Sequence, residues 1–378
     1  MTPHPDQGLI GVPGGRSRLS TPALVLKLDA AERNIAAMAD LARRHGVGLR
    51  PHAKTHKSPD LACMQARAGA LGITCATLGE AEAMAGAGVT GVLLSSPMTG
   101  SSKIARMIAL AARARDLMVV VDDEANIEAL GAAARAAGAP LGVVIDLEVG
   151  CGRTGVTTVD GAARLASSIA ATEGLRFAGL QAYNGAVQAT PGFAERGAGL
   201  AATYERVATV RDRLVRDSLP PTIVSGGGTG SHALDMGRGL FTEIQVGSYV
   251  VMDSIYRSVD LWGVEAASPF EIAMSVAATV ISASHEGFVT TDAGLKAFAT
   301  DGGDPVIVAG APPGATYTFM GDEHGRVTFA RATDRLAPGA VVSCMAPHCD
   351  PTINLYDVYH VVRGDTLVAL WPIARGRW

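Results

Sequence analysis

The chain has 378 residues, 48% of them hydrophobic and 18% charged, with 32 Lys and Arg against 36 Asp and Glu. This is enough apolar material for two domains, or for one large barrel with an addition, and it excludes a disordered chain. The net charge of −4 without a basic stripe argues against nucleic acid as a partner, and no apolar run of about 18 residues marks a membrane span.

Five cysteines (Cys63, Cys75, Cys151, Cys344 and Cys349) form no even-numbered framework, which predicts a reducing, cytoplasmic compartment. The polar, Gly- and Pro-containing stretch Met1 to Arg16 has no signal-peptide core. From Thr21 to about Asp253, short apolar runs alternate with Ala-rich helical patterns. Ala23–Leu28 is the first strand candidate, followed by Asp29 as a helix N-cap and a helix to about His45. Further strands are predicted at Gly48–His52, Ile73–Ala76, Gly91–Ser95, Met118–Asp122, Gly142–Leu147, Phe177–Ala182, Thr222–Ser225 and Glu243–Val246. Strands separated by helices imply a parallel sheet, and the fold class expected is a (β/α)8 TIM barrel over 21–257. Nine candidates compete for eight barrel places, so one lies outside the barrel or is not a strand.

After Ser258 the helical patterns stop. Val276–Ile281, Gly287–Thr291, Pro305–Val308, Arg326–Phe329, Ala340–Ser343, Asp357–Val362 and Leu367–Trp371 read as strands with Gly, Pro and Asp turns between them, which predicts a β domain over 258–378.

Three segments carry chemistry. Arg50-Pro-His-Ala-Lys-Thr-His-Lys57 crowds basic and imidazole groups at the C-terminal end of a predicted strand, where barrel enzymes place their chemistry. A lysine there can form a Schiff base if neighbouring cations lower its pKa, and Lys54 lies between His52 and His56. Taken alone, such a cluster is more often a solvated loop.

Ser225-Gly-Gly-Gly-Thr-Gly-Ser231 follows an apolar strand. Its glycines let backbone N–H groups approach an anion, although it is neither a P-loop nor a dinucleotide fingerprint. Ser225, Gly227, Gly228 and Thr229 are its candidate phosphate residues, with Gly247, Ser248 and Tyr249 as a second set after the next strand. His348-Cys-Asp350 pairs an imidazole with a carboxylate; if the segment is extended, both share one face and Cys349 points away. That donor pair suits Mn²⁺, Mg²⁺ or Zn²⁺, whereas an isolated His-x-Asp is more often a structural turn.

Taken together and in this order, the motifs resemble the alanine racemase-like, fold-type-III pyridoxal-phosphate enzymes, in the branch of the D-threonine aldolases, D-serine dehydratases and 3-hydroxy-D-aspartate aldolases. The resemblance runs from Thr21-Pro-Ala-Leu to Trp371-Pro-Ile-Ala-Arg-Gly. It implies that Lys54 is the cofactor lysine, that the Gly-rich loop holds the phosphate, and that His348 and Asp350 are metal ligands, manganese first and magnesium second. Dehydratases of the group carry His-x-Cys more often, and Asp350 departs from that.

The resemblance also implies that Arg153, Tyr183 and Gln245 lie at the cofactor, with His52 as a catalytic residue beside Lys54. The N-terminal segment 1–20 would join the β domain. A homodimer is expected, with Asp322 and Lys296 reaching the partner's site. The implied activity is retro-aldol cleavage of small β-hydroxy-D-amino acids, D-threonine giving glycine and acetaldehyde. The alternatives are a 3-hydroxy-D-aspartate aldolase, a D-serine-type dehydratase, or a non-catalytic pyridoxal-phosphate carrier. The proton acceptor is left open between a metal-bound water, His52 and His56.

Overall fold

The computed structural model describes residues 3–263, 268–331 and 333–375. Residues 1–2 of the expected N-terminal segment and 264–267, 332 and 376–378 of the expected β domain lie outside the described residues. In chain order the strands of the first part are β1 (Ala23–Lys27), β2 (Gly48–Leu49), β3 (Ile73–Cys75), β4 (Val92–Leu94), β5 (Met118–Val121), β6 (Leu141–Asp146), β7 (Leu175–Ala182), β8 (Ile223–Gly226) and β9 (Glu243–Ile244). All nine predicted strands are present. Eight of them, β2 to β9, form a parallel sheet in the order β2-β9-β8-β7-β6-β5-β4-β3.

The ring closes between β2 and β3. Leu71 N–H donates to Leu49 O at 2.7 Å, Thr74 N–H to Pro51 O at 2.8 Å and Ala53 N–H to Thr74 O at 2.8 Å. Most of these strands are buried along their length, β7 only from Ala178 onward, and they read as continuous apolar runs such as Met118–Val121, as expected of a parallel sheet covered by helices.

The strand outside the barrel is β1. It pairs antiparallel with β10 (Met274–Ser282) and parallel with Val358–Arg363, in a nine-stranded sheet otherwise built from the end of the chain. Periodicity could not identify it, because β1 is as apolar as its neighbours and is followed by a helix, as a barrel strand would be. That helix, Leu28–His45, has Lys27 at its N-cap; Asp29, expected there, lies in the first turn, ion-paired to Arg363. A carboxylate is favoured in that turn by the helix dipole.

The remaining strands are β11 (Phe288–Thr291), β12 (Val306–Ala309), β13 (Thr316–Phe319), β14 (Gly325–Thr328), β15 (Val341–Met345), β16 (Val358–Arg363) and β17 (Thr366–Pro372). The sequence reading missed β13, although Thr-Tyr-Thr-Phe alternates polar and aromatic residues; Tyr317 fills the core and its hydroxyl meets Thr291 Oγ1 at 2.7 Å. The N-terminal segment lies against β17, with Gly11 N–H donating to Leu367 O and Arg16 N–H to Asp365 O. No helix among the described residues is long and apolar enough to cross a membrane.

Two buried features set the stability of the barrel. Arg50 donates twice to Glu243, Nε to Oε1 at 2.7 Å and Nη2 to Oε2 at 2.8 Å, both side chains being almost fully enclosed. Arg50→Met leaves the Glu243 carboxylate buried without a partner. It is expected to lower stability by about 3–5 kcal/mol in chemical denaturation, while Arg50→Met/Glu243→Leu recovers much of that loss.

Burial holds His56 and His232 down to about 4. Each stays neutral in the fold but takes up a proton in the unfolded chain below about 6.5. Their contribution is therefore present above pH 6.5 and is lost as pH falls toward 4, about 3 kcal/mol for each. Burial pushes Asp235 up to about 6, which has the opposite sign and offsets one of them between pH 6 and its unfolded value. Melting temperature followed from pH 7.5 to 4.5 should fall.

Candidate active site

The segment after β2 divides its basic groups among separate tasks. Arg50 is taken by Glu243, and Lys57, at φ +48°, is paired with the buried Glu80 at 2.9 Å. His56 is buried away from the cavity, its Nδ1 accepting Ser58 N–H at 3.1 Å. Lys54 and His52 are left facing a cavity of about 220 Å³ at the barrel mouth. The expectation that neighbouring cations lower Lys54 is reversed. Burial and Arg153 pull it down, but Tyr183, Asp350 and Cys349 act against them and leave it raised. Lys54 Nζ lies 3.8 Å from Asp350 Oδ2 and 5.6 Å from the centre of the Tyr183 ring.

His52 is held neutral. Burial, then Lys54, His56 and Arg153, push it well below the usual imidazole range. Its Nδ1 accepts Lys54 N–H at a long 3.4 Å, so the ring proton is on Nε2 and can be donated to Ser95 Oγ at 3.2 Å, which in turn donates to Cys75 O.

One end of the cavity is a glycine cradle. Gly228, Thr229, Gly247 and Ser248 line it, together with Thr55 and Gln188. A Cβ on Gly228 would stand 2.5 Å from Gln188 Oε1, and one on Gly247 would stand 2.5 Å from Thr55 Oγ1. Thr55 Oγ1 is buried without a hydrogen-bond partner. Thr229 Oγ1 accepts Tyr249 N–H at 3.1 Å, which leaves its own proton to donate. An orphaned hydroxyl beside space kept open by glycine fits a phosphate.

Gln188 holds this loop, Oε1 accepting Gly230 N–H at 3.0 Å and Nε2 donating to Ser231 Oγ at 2.9 Å. Gln245 also lines the cavity, its Nε2 donating to Ser225 Oγ at 3.0 Å and to Gln181 Oε1 at 3.2 Å.

His348 and Asp350 both line the cavity, but not as an extended pair. His348 is the extended N-cap residue of a short helix, Cys349–Ile353, and Asp350 lies in its first turn. Pro351 suits a first helical turn, where its missing N–H has no intrahelical partner, and the alternation rule fails there. Cys349 therefore does not point away from the pair: its thiol donates to Asp350 Oδ1 at 3.3 Å, and its N–H donates to Asp253 Oδ2 at 2.9 Å.

His348 Nδ1 lies 2.7 Å from Asp301 Oδ2. With its proton donated there, Nε2 is free as a ligand atom, the usual arrangement of a metal-binding histidine. The donor set of imidazole and carboxylate fits a divalent ion.

Of the expected site residues, His52, Lys54, Tyr183, Gly228, Thr229, Gln245, Gly247, Ser248, His348 and Asp350 come together around the cavity. Ser225 lies behind Gln245, and Gly227 lies against Asp235. Arg153 stands 6.0 Å from the Tyr183 ring. Tyr249 is turned into the core, its hydroxyl accepting from Gln65 Nε2, and its N–H is already used by Thr229. Asp322 and Lys296 are exposed on the β domain, 3.8 Å apart, and do not line this cavity. Sequence reading missed Thr55, Gln188, Tyr256 and Asp301. Thr55 alone had a local signal, being next to Lys54.

Residues 26–255 match the family described as alanine racemase, N-terminal domain. This chain belongs to that family. Residues 273–362 of this racemase-like chain match a second family, described as putative serine dehydratase domain. The chain is 38% identical over 371 residues to 3-hydroxy-D-aspartate aldolase of Paracoccus denitrificans (strain Pd 1222), covering 96% of this chain and 93% of that protein. It is 39% identical over 362 residues to D-threonine aldolase of an Arthrobacter species, with 95% and 94% covered. The crystal structure of D-threonine aldolase from Filomicrobium marinum superposes with a TM-score of 0.90 at 40% identity, covering 95% of this chain and 97% of that one.

The cofactor that the racemase-like family implies is pyridoxal phosphate. The glycine cradle, the orphaned Thr55 hydroxyl and a lysine in the same cavity fit it. If His348 holds a divalent ion, Asp301→Asn should leave the fold intact and weaken that binding about 10–100-fold in calorimetric titration, because the imidazole loses the carboxylate that orients it.

Proposed function

We propose that this chain cleaves β-hydroxy-D-amino acids by a retro-aldol reaction, D-threonine giving glycine and acetaldehyde. The observation that carries this reading is the placing of an imidazole and a carboxylate, His348 and Asp350, in one cavity with Lys54, the carboxylate 3.8 Å from Nζ. When bound, pyridoxal phosphate supplies a sink for the electron pair released at Cα, and a divalent ion, manganese first, supplies a Lewis acid at the β-hydroxyl.

Lys54 would hold the cofactor by its Nζ, Thr55, Gly228, Thr229, Gly247 and Ser248 would bind its phosphate, and Gln245 and Tyr183 would lie beside its ring. His348 and Asp350 would hold the ion, with Asp301 and the Cys349 thiol orienting them. His52, neutral and lining the cavity, would take the hydroxyl proton as the Cα–Cβ bond breaks and the aldehyde C=O forms. The same proton, handed back from His52 to Cα, would complete glycine. His56 is excluded from this role by its place outside the cavity.

The same reading has the enzyme acting as a cytoplasmic homodimer, with Asp322 and Lys296, exposed and away from their own chain's cavity, offered to the partner's substrate. A 3-hydroxy-D-aspartate substrate is the second reading, favoured by the 38% identity to an aldolase of that name.

Protein supplied with pyridoxal phosphate and Mn²⁺ should release glycine from D-threonine and from 3-hydroxy-D-aspartate, and the ratio of kcat/KM for the two chooses between the readings. Pyruvate and ammonia from D-serine at a higher rate would overturn both. Chelation should abolish turnover while the cofactor's absorbance persists, and Asp350→Ala should do the same. Full activity in metal-free protein would return His348 and Asp350 to a structural turn.

A further inference from the structure

In the β domain, the 3₁₀ turn Pro5–Leu9 carries Asp6 against His360 of β16, with His4 beside them. Asp6 and His360 are almost fully buried, although 354 residues apart in sequence. The carboxylate is fixed from behind. Ser20 N–H donates to both of its oxygens, at 3.1 and 3.0 Å, and Ser20 Oγ donates to Oδ1 at 2.8 Å.

His360 faces two acceptors. Its Nδ1 lies 3.2 Å from Leu24 O and its Nε2 lies 3.0 Å from Asp6 Oδ2. A carbonyl and a carboxylate have no proton to give, so a neutral ring can satisfy only one of them. With the proton on Nε2 the ring donates to Asp6 and its Nδ1 lone pair opposes Leu24 O; with the proton on Nδ1 it donates to Leu24 O, and a cation between Nε2 and the carboxylate would satisfy both. A second proton would serve, but it requires no third group. The His4 ring is the third group: its centre lies 5.1 Å from that of His360, and one donor atom each from His4, Asp6 and His360 can be chosen within 4.8 Å of one another.

We propose that His4, Asp6 and His360 form a second metal site, taking a zinc-class divalent ion that fastens the N-terminal segment to the central strands of the β domain. Two imidazoles and a carboxylate suit such an ion. Bonds of about 2.0–2.2 Å place neighbouring ligand atoms about 3.0–3.5 Å apart. The Asp6–His360 pair already has that spacing. His4 alone must move inward, and it is half-exposed at the end of the segment. Binding costs it one contact, the 3.2 Å acceptance of Asp6 N–H by its Nδ1. None of this rests on the aldolase reading.

The test uses full-length protein loaded with pyridoxal phosphate, with the first ion site removed by His348→Ala/Asp350→Ala, stripped with chelator and titrated with Zn²⁺. About one zinc per chain is expected, raising the melting temperature by about 3 °C when zinc is at a hundred times its Kd. Adding His360→Gln should abolish both effects. If that variant does not fold, His4→Asn serves in its place, since it removes a half-exposed ring. It should weaken zinc binding at least tenfold and leave the metal-free melting temperature unchanged. No zinc bound, or equal binding with and without His360 or His4, overturns the site and leaves a hydrogen-bonded His360–Asp6 pair.

Discussion

The arrangement depends first on the Arg50–Glu243 pair. A closed parallel barrel must bring its first and last strands side by side, and these two residues sit at that junction, one immediately after β2 and the other opening β9. The same guanidinium donates to Gly91 O just before β4, so one planar cation braces three strand ends. The glycines near it follow from that. A Cβ at Gly72 or Gly91 would come within 2.5 or 2.9 Å of Arg50 Nη1, and both glycines have positive φ, which other residues adopt only with strain. Lys54 lies four residues along from this brace, so the place of its amine in the cavity depends on barrel closure.

The cavity is an assembly of loop ends from one domain and a short helix from the other. Lys54 follows β2, Tyr183 and Gln188 follow β7, Gly228 and Thr229 follow β8, and Ser248 follows β9. His348 and Asp350 arrive from beyond β15, fixed by the Asp253 carboxylate, which caps the turn Ser254–Arg257 by accepting Tyr256 N–H and also accepts Cys349 N–H. Asp253 thus joins the last barrel loop to the helix that brings the donor pair, and burial holds its carboxyl above the usual range.

Lys54 and the Gly-rich loop were legible because their signals are local: a basic cluster at a strand end and a run of glycines after an apolar strand. His348 and Asp350 were legible as a donor pair, but their geometry was not, because a proline in the first helical turn outweighed the alternation of an extended segment. Gln188, Asp301 and Ser20 were illegible for another reason. Each is an ordinary polar residue whose role exists only through a partner distant in the chain, such as Asp301 against His348. The place of β1 was hidden in the same way, since its apolar run is compatible with either sheet and the choice is made by strands some 250 residues later.

That placement of β1 makes the barrel an insertion within the β domain. The β sheet opens with one strand, is interrupted by the whole (β/α)8 unit, and resumes at β10. During synthesis β1 emerges first, while β16, its parallel neighbour, is among the last strands made. A ribosome-bound chain can therefore complete the barrel while Ala23–Lys27 still presents unpaired edges and an apolar face to the cell. Sealing that strand is a late, long-range step, and it leaves the nascent chain exposed to wrong pairing throughout the barrel's synthesis.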